Sequence, residues 1–375
     1  MRTRPTLILM MVVGLWVAAV GCSDDSGGST DPSDEVDAQS DAAEDSSTTG
    51  EDVSTEDVFV EPDLPDYTYT GEPGPEDLFQ HGVASGDPLT DRVILWTRVT
   101  PAEEAEVEVY YEVALQPDIT QRVAAGVFST NAARDYTVKV DPTGLPPGTT
   151  LYYRFQALGR MSPIGRTRTA ATPDTALDRF RLAVVSCSNY TSGYFHGYRQ
   201  IGQRADLDLV IHLGDYIYEY GSSNFRPSDP PNEITTLEDY RLRYAQYRSD
   251  PDLQEAHRQH PWIVVWDDHE SADNSWRDGA SNHTPIEEGD WETRLNESWQ
   301  AWSEWQPVRD QEPLKIWRSF RFGDLVDLFM LDTRIWGREL QLAVNLVEDD
   351  LSRQLLGSDQ EAWLIDQLGS ASARW

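Results

Sequence analysis

Cys187, Asp215, Tyr218, Asp268 and His269 stand at or just past the ends of three apolar runs. Phe180-Arg-Leu-Ala-Val-Val-Ser-Cys187 ends in a thiol. Leu209-Val-Ile-His-Leu-Gly-Asp215 ends in a carboxylate, and the phenol of Tyr218 follows three residues later. Trp262-Ile-Val-Val-Trp-Asp-Asp-His-Glu270 ends with the second carboxylate, Asp268, and the imidazole of His269. Each run has the length and residue types of a buried strand. Each precedes a stretch that can be helical, so the pattern predicts a parallel sheet. In open α/β sheets functional groups gather outside the carboxyl ends of the strands. A thiol, two carboxylates, a phenol and an imidazole delivered to one sheet edge suit a dinuclear metal site for phosphoester cleavage. Two metals about 3.5–4 Å apart clamp the attacking and leaving oxygens, acidify a bound water and neutralise developing charge.

The individual residues divide into roles. Gly214 lets the chain turn sharply after its strand, so Asp215 can project as a bridging carboxylate. A tyrosinate at Tyr218 suits a hard ion such as Fe(III), because a phenol needs a strongly charged partner to lose its proton near neutrality. The alternative for Tyr218 is a packed aromatic, a role better suited to Tyr216. Asp268 is a metal ligand candidate. His269 either binds metal or protonates the leaving alkoxide; its alternative is an ion-paired loop histidine. Asp267 and Glu270 are read as orienting their neighbours. In Leu331-Asp-Thr-Arg334, Arg334 either clamps a phosphate oxygen through its two-pronged guanidinium or pairs with Asp332. His212 is expected in the core, His257 and His260 on the surface, and His81 and Asp87 in a glycine-rich turn; His196 is left open.

These residues need a scaffold. A chain of 375 residues with 39% hydrophobic side chains supports two or three domains. A formal net charge of −35 argues against a nucleic-acid partner, since phosphate backbones demand Lys and Arg. Arg2 and Arg4 precede an apolar stretch from Leu7 to Val20, too short to span a bilayer comfortably. It exits through Ala19-Val20-Gly21-Cys22, which resembles a bacterial lipobox. The expectation is a signal peptide over 1–22, a lipid anchor at Cys22 and a membrane-anchored lipoprotein of the bacterial cell envelope; the alternative is an ordinary cleaved secretory signal. With Cys22 so used, Cys187 has no disulfide partner. Residues 23–77 hold 19 Asp and Glu and no Lys or Arg, and read as a disordered acidic linker.

Residues 78–173 read as all-β. Asp91–Arg98, Ala105–Val113, Asp135–Val140 and Leu145–Phe155 alternate or are rich in β-branched residues, and Pro and Gly punctuate them. A small β-sandwich of fibronectin III or immunoglobulin kind follows. Residues 178–375 read as α/β. Helices are expected near 194–204, 237–247, 287–305 and 359–368, with a hairpin turning at Gly323-Asp324.

At this point the chain resembles the PhoD-like alkaline phosphatase/phosphodiesterase family. The matching stretches are Phe79-Gln-His-Gly-Val-Ala-Ser-Gly-Asp-Pro88, Val93-Ile-Leu-Trp-Thr-Arg98, Ser186-Cys-Ser-Asn189 and His212-Leu-Gly-Asp-Tyr-Ile-Tyr-Glu219. They continue with Asp239-Tyr-Arg-Leu-Arg-Tyr244, Pro261-Trp-Ile-Val-Val-Trp-Asp-Asp-His-Glu270 and Leu331-Asp-Thr-Arg334. The resemblance implies a small β domain joined to an α/β metallophosphoesterase-like sandwich related to the purple acid phosphatases, with Cys187 in place of their first Asp. It implies Fe(III) with Ca(II): Cys187, Asp215 and Tyr218 around iron, and Asp268 toward the second metal. Chains of that family continue past the helix that ends near Trp375, and their later strands bring further ligands, so this chain is expected to be incomplete at its C-terminus. The expected function is an envelope-anchored phosphatase or phosphodiesterase acting on phosphomonoesters or phosphodiesters. The alternative is a noncatalytic envelope-binding lipoprotein on a degenerate scaffold.

Overall fold

The computed structural model describes residues 59–222, 224–341 and 352–375. The expected signal peptide over residues 1–22, the expected lipid anchor at Cys22 and the acidic stretch up to residue 58 fall outside the described residues. Among the described residues no helix is long and apolar enough to cross a membrane.

The N-terminal part is built from strands β1 (Val83–Gly86), β2 (Ile94–Arg98), β3 (Val107–Ala114), β4 (Arg122–Thr130), β5 (Thr137–Val140), β6 (Thr150–Ala157), β7 (Arg160–Met161) and β8 (Gly165–Arg168). One sheet runs β4-β3-β6-β7, with β8 also paired to β6; the facing layer is β5-β2-β1. Val107, Val109 and Val113 of β3 turn one face inward against Leu95, Val138, Leu151 and Phe155. Burying such side chains is worth about 1.5–3 kcal/mol each, which is what holds the two layers together. Sequence patterning did not reveal β1, β4, β7 or β8, because they are short or carry Gly and Ala in place of β-branched residues.

The second part contributes β9 (Leu182–Val185), β10 (Leu209–His212) and β11 (Pro261–Val264), followed by the hairpin strands β12 (Arg318–Phe322) and β13 (Val326–Met330). Its helices are α1 (His196–Gly202), α2 (Leu237–Arg248), α3 (Pro251–Gln259), α4 (Pro285–Glu288), α5 (Trp291–Trp305) and α6 (Ser358–Ser370). Asp250 separates α2 from α3: its carboxylate accepts from the amides of Asp252 and Leu253, and Pro251 occupies the first helical position. Strands β9, β10 and β11 are parallel, each crossing over through helix.

The two parts share one sheet. β1 pairs in parallel with β11, Ser85 opposite Pro261 and Gly86 opposite Trp262, giving a six-stranded order β5-β2-β1-β11-β10-β9. The Val83-Ala-Ser-Gly86 segment that reads as a turn is thus a central strand. Gly86 is required there: a Cβ would lie 2.2 Å from the Pro307 carbonyl oxygen and 2.6 Å from that of Trp262. Asp87, just past β1, receives both arms of Arg318 (2.7 and 3.0 Å) and the Arg309 amide (2.8 Å), so this turn residue locks the β12 hairpin onto the sheet.

Two further expectations are corrected. His257 and His260 are fully buried, not surface residues. The His257 ring stacks on Trp262 at 3.8 Å with Nε2 2.9 Å from the Tyr216 hydroxyl, and His260 Nε2 lies 3.0 Å from the Ile201 carbonyl oxygen. His257 finds its partners in β11 and the loop after β10, and His260 finds its partner in α1, none of which a helical surface pattern shows. The end of the acidic linker also lies on the sandwich. Arg122 pairs with Glu61 (2.6 Å) and Asp66 (2.9 Å), the Tyr110 hydroxyl donates to the Pro65 carbonyl (2.7 Å), and the Gly159 amide donates to the Tyr67 hydroxyl (2.8 Å).

Candidate metal centre

Strand register decides what meets at the sheet edge. Val185, His212 and Val264 are opposite one another in β9, β10 and β11. The residues two to four positions beyond them therefore leave the sheet together. The β9 and β10 loops are stitched directly: the Cys187 amide donates to the Gly214 carbonyl (3.2 Å) and the Ser188 amide to that of Asp215 (2.8 Å). Cys187 and Asp215 both adopt left-handed backbone, at φ 56° and 55°, a conformation that costs about 1–3 kcal/mol for a non-glycine residue and recurs at functional sites. Gly214, at φ 106°, passes so close to the β11 loop that a Cβ would sit 2.1 Å from the Asp267 nitrogen.

The side chains converge accordingly. Asp215, Asp268 and His269 bring ligand atoms within 4.8 Å of one another. The Tyr218 hydroxyl donates to Asp215 Oδ2 at 3.1 Å, while Asp215 Oδ1 is buried with no hydrogen-bond partner. Cys187 flanks them on the exposed side, close enough for Asp215 and Tyr218 to act on its thiol. Burial pushes the Cys187 thiol up, and the Asp215 charge adds to it. Burial likewise pushes up the Tyr218 phenol, reinforced by Asp215 and Cys187. The Asp215 carboxyl is raised by burial and by the charges of Asp267 and Asp268, against the opposing pull of His269. Three donors thus each resist becoming anionic unless a cation joins them. An orphaned carboxylate oxygen facing a carboxylate, an imidazole, a phenol and a thiol fits a multivalent metal.

His269 is both ion-paired and directed at this cluster. Its Nδ1 lies 2.7 Å from Glu219 Oε2, and its ring packs on Tyr218 at 4.2 Å and Tyr220 at 5.2 Å. Burial works to lower its pKa, but the Glu219 hydrogen bond and charge, with Asp215 and Asp268, outweigh it and hold the imidazole at about 9. Glu219 was not singled out in the sequence. It is fully buried and also accepts from the Asp273 amide (2.7 Å) and Asn282 Nδ2 (3.2 Å). Its only local signal is an acid within the aromatic run Tyr216-Ile-Tyr-Glu-Tyr220.

The neighbouring acids organise the loops. Glu270, buried, accepts from the amides of Asp215 (3.1 Å), Tyr216 (2.7 Å) and Asp267 (2.9 Å), tying the β10 and β11 loops together. Asp267 takes both arms of Arg334 at 2.5 and 3.0 Å, and the same guanidinium reaches Asp268 Oδ1 at 3.0 Å. Asp332 does not pair with the Arg334 guanidinium. Its carboxylate accepts from the amides of Arg334 (2.7 Å), Ile335 (2.8 Å) and Trp336 (3.1 Å), a turn that aims Arg334 back at the site.

Residues 182–375 match the family described as PhoD-like phosphatase, and residues 68–171 match the PhoD-like phosphatase N-terminal domain. The chain belongs to the PhoD-like phosphatase family. It is 37% identical over 321 residues to alkaline phosphatase D of Bacillus subtilis (strain 168), covering 79% of this chain and 54% of that relative. A solved structure of PhoD superposes with a TM-score of 0.75 at 35% identity, covering 83% of this chain and 62% of the other. The fold is that of the family: mixed α/β sheets preceded by an all-β region. The chain spans between about half and three fifths of the length of these two relatives.

Proposed function

We propose that this PhoD-like chain carries the metal centre of a phosphoric ester hydrolase, an alkaline phosphatase or phosphodiesterase. The observation that carries the reading is the convergence of Asp215, Asp268 and His269 within 4.8 Å at the ends of parallel strands, with Tyr218 hydrogen-bonded to Asp215. Cys187, Asp215 and Tyr218 would hold Fe(III) as thiolate, carboxylate and phenolate once the ion displaces their protons, and Asp268 would face Ca(II) in a dinuclear site. When bound, such a pair supplies Lewis-acid stabilisation of the phosphoryl charge and an acidified water as nucleophile.

The chain's own residues have separate tasks. Arg334, aimed by Asp332, brings a fixed positive charge beside Asp267 and Asp268, where a phosphoryl oxygen can exchange into its two-pronged grip. His269, held by Glu219 through Nδ1, has a ring nitrogen within 4.8 Å of the Asp215 and Asp268 carboxylates and can deliver a proton to a leaving alkoxide. Glu270 keeps the loops of Asp215 and Asp267 in register. The Val20-Gly21-Cys22 exit supports anchoring at Cys22 in a bacterial envelope membrane, detectable as a diacyl or triacyl Cys22 in the intact mass of the membrane fraction.

The test loads the 375-residue protein with Fe(III) and Ca(II) and follows hydrolysis of a chromogenic phosphodiester and a chromogenic phosphomonoester. Asp215→Asn and Asp268→Asn should abolish stoichiometric metal retention and turnover together. Wild-type turnover in Asp215→Asn would refute the assignment; full metal binding without turnover by wild type would favour a noncatalytic envelope protein.

A further inference from the structure

His212 ends β10 and is fully buried, three residues before Asp215. It lies outside the ligand cluster, yet it touches both ligand loops. Its Nδ1 lies 3.2 Å from the Gly214 nitrogen, whose N–H can only donate. Nδ1 therefore carries a lone pair, and the neutral ring bears its proton on Nε2. Nε2 lies 3.2 Å from the Ser188 hydroxyl, which thus accepts from His212 and passes its own proton toward the Tyr198 hydroxyl. Burial alone pushes the His212 pKa down to about 3, in keeping with a neutral ring. The ring plane is fixed by near-parallel packing on Trp262 at 6.2 Å and by Tyr216 at 5.1 Å.

Gly214 and Ser188 are the immediate neighbours of Asp215 and Cys187. The imidazole therefore spans the gap between two ligands that both sit in left-handed backbone. Beside the two ligands the amide-to-carbonyl bonds run from the β9 loop to the β10 loop, and one step earlier the Leu213 amide donates back to the Val185 carbonyl (2.9 Å). A single imidazole tautomer adds a side-chain tie at the ligands themselves, accepting from Gly214 of the β10 loop and donating to Ser188 of the β9 loop.

We infer that His212 is the positioning residue that sets the spacing of Cys187 and Asp215, and through it the site's affinity for metal, by bridging the Gly214 amide and the Ser188 hydroxyl in the Nε2–H tautomer. The inference rests on the metal reading above. A side chain in this role differs from a core filler in what it needs: an acceptor and a donor at the two ring nitrogens, not merely volume.

Two measurements test it. In metal-free protein, nitrogen chemical shifts of His212 should show an unprotonated Nδ1 and a protonated Nε2; the reverse tautomer overturns the proposal. Cobalt(II) then serves as a visible probe, its thiolate charge-transfer band reporting Cys187, alongside Fe(III) retention. His212→Phe keeps an aromatic ring of similar size but neither contact, and should weaken binding of both metals about 10- to 100-fold. Ser188→Ala, which leaves the core ring in place, should weaken it several-fold, and the double variant should bind no worse than His212→Phe alone. His212→Gln, which keeps a donor near the Nε2 position, should recover part of the loss. Wild-type affinity in both His212→Phe and Ser188→Ala, or additive losses in the double variant, would overturn the bridge. A wild-type protein showing neither iron retention nor a cobalt thiolate band would instead refute the metal reading, and this proposal with it.

Discussion

Replacing Gly214 by alanine should separate the β10 and β11 loops. The new Cβ would lie 2.1 Å from the Asp267 nitrogen, 2.5 Å from the Trp266 carbonyl carbon and 2.7 Å from the Asp267 Cβ. Two of these are backbone atoms, so no side-chain rotation relieves the clash. An ordinary contact requires the loops to part by about 1 Å, a local overpacking that costs about 1–3 kcal/mol. The φ of 106° adds strain of about 1–3 kcal/mol for any residue with a Cβ. Together these give a loss of about 4 kcal/mol. The displaced loops carry Asp215 and Asp268, so metal affinity should fall with stability. Urea unfolding of metal-free wild type and Gly214→Ala, followed by metal titration of the folded fraction, measures both. Gly197→Ala is the control: Gly197 lies in α1, nothing stands within 4 Å of where its Cβ would be, and the change should stabilise the helix by about 0.5–1 kcal/mol. A Gly214→Ala protein within about 1 kcal/mol of wild type and with unchanged metal affinity would refute the close-approach argument.

Other substitutions probe separate parts of the structure. Asp87→Ala strands the Arg318 guanidinium, whose remaining partners are the carbonyls of Ile316 (2.8 Å) and Val264 (3.0 Å), and should cost about 3–5 kcal/mol in urea unfolding; a loss under about 1 kcal/mol would contradict its role as the lock between sheet and hairpin. His81 is buried against Trp305, and burial, followed by the charges of Arg98 and Arg248, lowers its pKa to about 3. The unfolded chain then binds the extra proton first, so this residue's contribution is full above about pH 6.5 and drains away as the pH falls toward 3. Wild type should accordingly lose up to about 3 kcal/mol more than His81→Phe between pH 7 and pH 4, and parallel stability curves would count against it. Arg334→Gln removes the counter-charge from Asp267 and Asp268; metal-free stability should fall by about 1–3 kcal/mol while the thermal stabilisation by added calcium grows. An unchanged calcium response would show that Arg334 does not compete with a cation there.

Much of this protein is determined by local sequence. Apolar runs ending at Val185, His212 and Val264, each followed by helix-forming residues, specify parallel strands, and the residues just past them are carried to one edge by strand geometry alone. The hairpin around Gly323 and the caps at Thr236 and Asp290 are equally local, because they depend on hydrogen bonds within a few residues. Tertiary structure decided the rest. That β1 enters the six-stranded sheet depends on Gly86 meeting Pro307 and Trp262, which are distant in the chain. That His257 and His260 are buried depends on Tyr216, Trp262 and Ile201 closing over α3. The same holds within the site. Residue type names Asp215, Asp268 and His269 as candidates, but whether Arg334 faces Asp332 or Asp267, and that Glu219 holds His269, are fixed by side chains that meet only after the loops have folded. A hydrogen bond's partner is chosen by distance in space, and periodicity along the chain carries no record of it.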